Sequence, residues 1–229
     1  MRSISFCLLL LCSVFSDAQD TRKVSCRFLC LEGTTPPPPL LNLGDKGVEI
    51  ACTIPTETFS QEVVCVTKGN VINFVSSTDR KPAATATIPE AVNAAILVFV
   101  PPANTPNALP WRIFVIEDSA KNFPDGGAFV ANFHDQDLRF VIGGSPYMLH
   151  PGGSHGFVRP EKRDAFNMAP VVFYFQQGDT WQTASESMMR FTSGKRYLFF
   201  AYVDLASGRP RIFTFQDFKN ITAPPPPVR

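Results

Sequence analysis

Lys195 to Asp217 reads KRYLFFAYVDLASGRPRIFTFQD, and this stretch decides the fold class. Tyr197, Phe199, Ala201 and Val203 alternate with Leu198, Phe200, Tyr202 and Asp204, so both faces of the first segment are apolar. Arg211, Phe213 and Phe215 then alternate with Ile212 and Thr214. A period of two is the pattern of a strand, and a strand apolar on both faces lies at the centre of a sheet covered on both sides. Residues 205–210 make the connection, with Gly208 able to take a positive φ. The pair predicts an antiparallel hairpin with Phe199 and Phe213 in the sheet interior. Residues 181–191 predict a further strand of the same sheet.

Outward from the hairpin, the same alternation predicts strands over 23–31, 47–54, 62–67, 71–75, 96–100, 111–117, 128–133, 138–142 and 171–176. Between them stand turn-forming groups such as Gly44-Asp45-Lys46-Gly47, Pro124-Asp125-Gly126-Gly127 and Pro151-Gly152-Gly153. The best helical segment, 89–95, is no more than a turn or two. The chain holds 21 Pro and 21 Phe, the first breaking helices and the second favouring strands. Strands without interleaved helices predict an all-β protein, an antiparallel β-sandwich of immunoglobulin-like or jelly-roll-like type.

Four parts follow: a signal peptide over 1–18, a cysteine-bearing β region over 19–105, a β-sandwich region over 106–219 and a Pro-rich tail over 220–229. The first β region either packs into the same sandwich or forms its own. Two tetraproline runs, Pro36–Pro39 and Pro224–Pro227, read as polyproline II, and Asn220-Ile221-Thr222 is a glycosylation sequon. No internal repeat is evident.

Arg2, the apolar run 4–15 and the small residues Ser16 and Ala18 make a secretory signal, with the mature chain beginning at Gln19. No later apolar run reaches the ~20 residues that span a bilayer, so the mature chain is expected to have no membrane span. With 45% hydrophobic residues the chain can fill a core. Its 21 basic residues against 20 acidic ones give no electrostatic pull towards nucleic acid. Cys26, Cys30, Cys52 and Cys65 remain after the signal, in a compartment that permits disulfides. Cys26 and Cys30 lie on one face of a strand, about 13 Å apart, beyond the ~7 Å limit for a bridge. Any bridge therefore joins one of them to Cys52 or Cys65; equally, Cys is a common small core residue.

Gly152-Gly153-Ser154-His155-Gly156 fits the G-x-S-x-G pattern of serine hydrolases. That motif works on a strand-to-helix turn with its His later in the chain. Here Pro151 precedes, Phe157-Val158-Arg159-Pro160 follows without a helix, and no His comes after His155, so a Gly-rich turn is expected. His134, His150 and His155 fall close together, with Asp135 and Asp137 nearby, and are the candidate metal ligands. Solvated loop histidines explain them as well, so no metal or cofactor is assigned. Trp111, Tyr147 and Trp181 are candidates for an aromatic sugar platform, against half-buried strand residues. Glu117 and Asp118 are adjacent and point to opposite faces, which does not suit a glycosidase pair.

From residue 96 onward the order of features is specific: Trp111-Arg112-Ile113-Phe114, Phe123-Pro124-Asp125-Gly126, Ala131-Asn132-Phe133, Pro151-Gly152, Trp181 and Gly194-Lys195-Arg196-Tyr197. This resembles a group of exported proteins of planctomycete and verrucomicrobial bacteria with no assigned activity. The resemblance implies a bacterial, exported β-sandwich and carries over no active-site residue. In physical terms Phe123-Pro124 plugs a core at a turn, Asn132 bonds backbone at a strand end, and Pro151-Gly152 centres a type II turn. The functional expectation is an exported, non-enzymatic binding or envelope-structural protein whose partner is a protein or glycan. The alternative is a carbohydrate-active or hydrolytic enzyme using the loops 134–155.

Overall fold

A computed structural model describes residues 21–31, 36–44, 47–102, 106–204 and 207–218. The segment expected to be a signal peptide, the sequon and the Pro-rich tail lie outside the described residues. The described residues are all-β, with sixteen strands in four four-stranded sheets.

Two sheets form a first sandwich. Its inner sheet holds β1 (Lys23–Cys30), β4 (Val63–Val66), β7 (Ala94–Val100) and β8 (Arg112–Glu117), in the order β4-β1-β7-β8. Its outer sheet holds β2 (Leu40–Leu43), β3 (Glu49–Cys52), β5 (Val71–Ser76) and β6 (Pro82–Thr87), in the order β3-β2-β5-β6. A second sandwich follows. The inner sheet is β12-β9-β15-β16, from β9 (Ala128–Asn132), β12 (Ser154–Phe157), β15 (Lys195–Val203) and β16 (Pro210–Phe218). The outer sheet is β11-β10-β13-β14, from β10 (Leu138–Ile142), β11 (Ser145–Leu149), β13 (Met168–Gln177) and β14 (Thr180–Arg190).

The second half repeats the topology of the first strand for strand, each strand taking the place of the one eight earlier. The register repeats as well. Cys26 of β1 stands beside Ala95 of β7 in a parallel pair, as Ala128 of β9 stands beside Tyr197 of β15, the partner lying 69 residues downstream in both. The sequence carries a trace of this in Arg112-Ile113-Phe114 with Asp118, and Arg211-Ile212-Phe213 with Asp217. A repeat is thus present where none was expected. Its trace is faint because alternation constrains only the apolar character of a position, not its residue type.

Three cores separate the four layers. Phe28, Phe74, Phe99 and Leu97 fill the first sandwich. Phe140, Phe173, Tyr197 and Phe199 fill the second. Between the two inner sheets lies a third core, with Leu29, Ile96 and Val98 facing Phe129, Leu198 and Phe200. This third core explains why β7 and β15 are apolar on both faces, as the hairpin sequence requires, while β1 contributes Leu29 to it beside the polar Ser25 and Arg27.

Several expectations change in detail. The sheets are mainly antiparallel but include the parallel pairs β1–β7 and β9–β15. Strand 112–117 pairs with β7, so the first sandwich runs past residue 105 and the division falls after Asp118. β14 pairs with β13 in the outer sheet, not with the β15–β16 hairpin, because its alternating polar residues suit only an exposed edge. Phe199 faces the second core and the half-buried Phe213 the third. The turn readings hold. Phe123 is buried in the third core. Asn132 is fully buried and donates from Nδ2 to the carbonyls of Gln136 and Leu149, while its Oδ1 accepts from the His134 N–H.

Candidate functional site

A cleft of about 1020 Å³ opens where the two sandwiches meet. One wall is the segment 56–62 between β3 and β4; the other is the edge strand β16. Its rim presents the carboxylates of Glu57 and Glu62, the amides of Gln61 and Gln216, and the rings of Phe59 and Phe218. Phe59 packs edge-on against Phe215, 4.7 Å between centroids, which fixes one aromatic face in the wall.

Four charged side chains form the floor. Arg27 of β1 donates to Asp217 (2.9 and 3.1 Å) and to Asp118 (2.7 Å). Arg196 of β15 donates to Asp118 (2.7 Å), to the Phe123 carbonyl (3.0 Å), and through Nε and a second short contact to Asp217. Each guanidinium also lies on a ring, Arg27 4.5 Å from the Phe59 centroid and Arg196 3.9 Å from that of Phe123. Arg196 and Asp217 are 1% and 2% exposed, Arg27 and Asp118 19% and 17%, so the network runs from the core to the cleft. Two cations and two anions balance, which is the condition for burying them. Burial disfavours the Asp118 carboxylate, but Arg196 and Arg27 outweigh it and hold its pKa below the usual carboxylate value. Burial likewise opposes the Arg27 charge, and Asp217 and Asp118 reverse this and raise its pKa.

The two aspartates are the counterparts of one another in the repeat, each closing the last strand of its sandwich. Asp217 stands opposite Arg196 on the β15–β16 ladder, and the Asp118 N–H bonds the Ala94 carbonyl at the matching rung. Asp118 entered the sequence reading only as an unsuited partner of Glu117 and Arg196 only within a motif; the repeated Arg-Ile-Phe…Asp marks the two aspartates, and nothing marked Arg27. Glu117 does point away from Asp118, towards the Asn122 amide.

The histidines fall elsewhere and do not share a site. His134 is buried against Phe175, and its Nδ1 accepts the Gln136 N–H at 2.9 Å. His150 is exposed and its Nδ1 lies 2.8 Å from Asp137. His155 packs its ring on Phe157, 4.9 Å away. Among the described residues no group of three or more His, Cys, Asp or Glu is placed to hold a metal ion. The Gly-rich turn is confined to His150–Gly153, where Gly153 N–H bonds the His150 carbonyl and Gly152 takes φ 74°, as type II requires. Ser154 itself opens β12, a correction to its placement in the turn. Gly156 is required because the Asn122 carbonyl oxygen passes 1.9 Å from where a Cβ would stand.

Ser154, His155 and Tyr147 line a second, smaller groove of about 700 Å³ between the edge strands β11 and β12. Ser154 and His155 are neighbours on a strand and so project to opposite faces. Among the described residues no histidine nitrogen bonds Ser154 Oγ. Tyr147 stacks on Phe140, Trp181 carries Arg139 5.4 Å from its centroid, and Trp111 packs on the first core, so the three aromatics form no common platform.

The four cysteines are buried thiols of the first sandwich. Cys26 and Cys52 both contact the Cys65 thiol, and those contacts together with burial push its pKa far above the ordinary value.

No protein-family model matches the chain, and no curated protein is significantly similar to it.

Proposed function

We propose that this is an exported, non-enzymatic binding protein of the cell envelope, whose ligand is a glycan held in the cleft between the sandwiches. The observation that carries the reading is the lining of that cleft. Aromatic faces at Phe59 and Phe218 stand beside hydroxyl, amide and carboxylate groups from Thr58, Gln61, Gln216 and Glu62. Sugars combine apolar ring faces with dense hydroxyls, and such a mixture serves both. The charged floor holds the walls in register rather than offering an unpaired charge. The signal-like N-terminus and the resemblance to exported bacterial proteins support the location.

The hydrolytic alternative rests on Ser154, His155 and Tyr147 sharing the second groove. One titration separates the two. Envelope oligosaccharides added to labelled protein are expected to shift the amide signals of 56–62 and 213–218. Phe59→Ala and Gln216→Ala are expected to weaken binding about tenfold or more, the scale of a lost hot-spot contact. Shifts confined to the second groove, or ester hydrolysis lost in Ser154→Ala, would overturn the reading. Binding of envelope proteins but no glycan at the cleft would replace the ligand class.

A further inference from the structure

Three strands bring three thiols to one place. Cys26 and Cys65 sit on the antiparallel neighbours β1 and β4, where Cys26 is opposite Val63 and Cys65 opposite Val24, so they are diagonal neighbours on one face. Cys52 ends β3, the edge strand of the facing sheet, opposite Leu40. All three are 0% exposed and belong to the same core. Cys65 is the shared member, touching the other two. Cys30 lies farther along β1, beside Phe99.

The segment between Cys52 and Cys65 is the one that builds a wall of the cleft, from Thr56 to Glu62. Its two ends are therefore thiols in contact. Diagonal neighbours in an antiparallel ladder lie about 7–8 Å apart between Cα atoms, beyond the ~4.4–6.8 Å of ordinary disulfides. Cys26 and Cys65 thus cannot bond without a backbone shift. Cys52 approaches from the opposite sheet and is not bound by that ladder spacing, so the favoured pair is Cys52 with Cys65 and not, as the sequence suggested, a bridge from Cys26 or Cys30.

We propose that Cys52 and Cys65 form a disulfide that ties the base of the cleft wall, with Cys26 as an internal thiol able to displace Cys52. In the first step two S–H bonds break and one S–S bond forms. The two electrons and two protons reduce an external disulfide of the thiol-exchange class, which leaves as two thiols. In the second step the Cys26 thiolate attacks Sγ of Cys65. The Cys26–Cys65 bond forms, Cys52 leaves as a thiolate and takes up the proton that Cys26 lost, and no electron leaves the protein. The strained diagonal makes the second bridge the minor one, so exchange loosens the wall. The link to binding rests on the cleft being the ligand site; the bridge itself does not.

The test uses full-length protein equilibrated with oxidised glutathione, alkylated, digested without reductant and mapped by mass spectrometry. A Cys52–Cys65 linked peptide with Cys26 alkylated is expected. Alkylation of all of Cys26, Cys30, Cys52 and Cys65, or Cys26–Cys65 as the main linked species, would overturn the assignment. Cys52→Ala is expected to yield Cys26–Cys65 instead, and its failure to do so would remove the exchange step. Hydrogen exchange of the amides 56–62 is expected to rise at least severalfold on reduction, and unchanged exchange would break the link to the wall. Neither measurement needs a ligand, so a failed glycan reading leaves both outcomes readable.

Discussion

The two sandwiches share one topology and one register but fill their interiors in opposite ways. Where the first places Ala95 the second places Tyr197, and where the first places Phe99 the second places Ala201. Phe28 likewise answers to Val130. Large and small residues have exchanged positions between β7 and β15, whereas along β9 the second sandwich places smaller residues than β1 does. Cores tolerate this when packing density is preserved. The edges differ too. At β3 and β4 the first sandwich gathers thiols; at β11 and β12 the second opens a groove lined by Tyr147 and Phe157. The architecture belongs to the alternation pattern, and the chemistry belongs to whichever residues occupy it.

The sharpest way to break this comparison is to separate the halves. Residues 19–120 alone would turn Leu29, Ile96, Val98 and Val100, none more than 5% exposed, out to water. The half-chain is expected to aggregate or lose its strand signal in circular dichroism, whereas the whole chain melts in one cooperative transition. A soluble half that melts cooperatively would show that the third core is dispensable.

Next in size are truncations at matched positions. Phe199→Ala is expected to cost about 3–5 kcal/mol and its counterpart Leu97→Ala about 2–5 kcal/mol, through lost transfer energy and the cavity left behind. Ser154→Ala, on an exposed edge strand, is expected to stay within about 0.5 kcal/mol. Denaturant titrations read all three, and a thermally silent Phe199→Ala would refute the packing of the second core.

The smallest effect is acid sensitivity at the junction. The folded pKa of Asp118 lies below its unfolded value. Its contribution to stability is therefore present at neutral pH and is lost as pH falls below about 4 and on through the folded pKa. Wild-type protein is expected to lose melting temperature over that window. Asp118→Asn should start lower and fall less steeply; parallel slopes would mean that the network does not titrate on unfolding.

Legibility in the sequence follows length and apolarity. The hairpin β15–β16 and the strands β1, β7 and β8 stand out because six or more residues alternate without interruption. β2, β6, β11 and β12 did not: β2 and β12 are only four residues long, β6 is led by Pro82 and built of Ala and Thr, and β11 is led by Ser145 and Pro146. Arg27, Asp118, Arg196 and Asp217 gave almost no sign, since partners such as Arg27 and Asp217 stand 190 residues apart.

The amino-acid sequence by itself determined that this protein is built from strands, that some are covered on both faces, and where the chain turns at Phe123-Pro124 and Pro151-Gly152. These are local consequences of side-chain alternation and of the φ limits of Pro and Gly. Only the tertiary structure decided that there are two sandwiches stacked through a third core. It alone brought four charges, three thiols and a cleft wall together. Those depend on register between strands far apart in the chain and on which faces meet, and no local period encodes either.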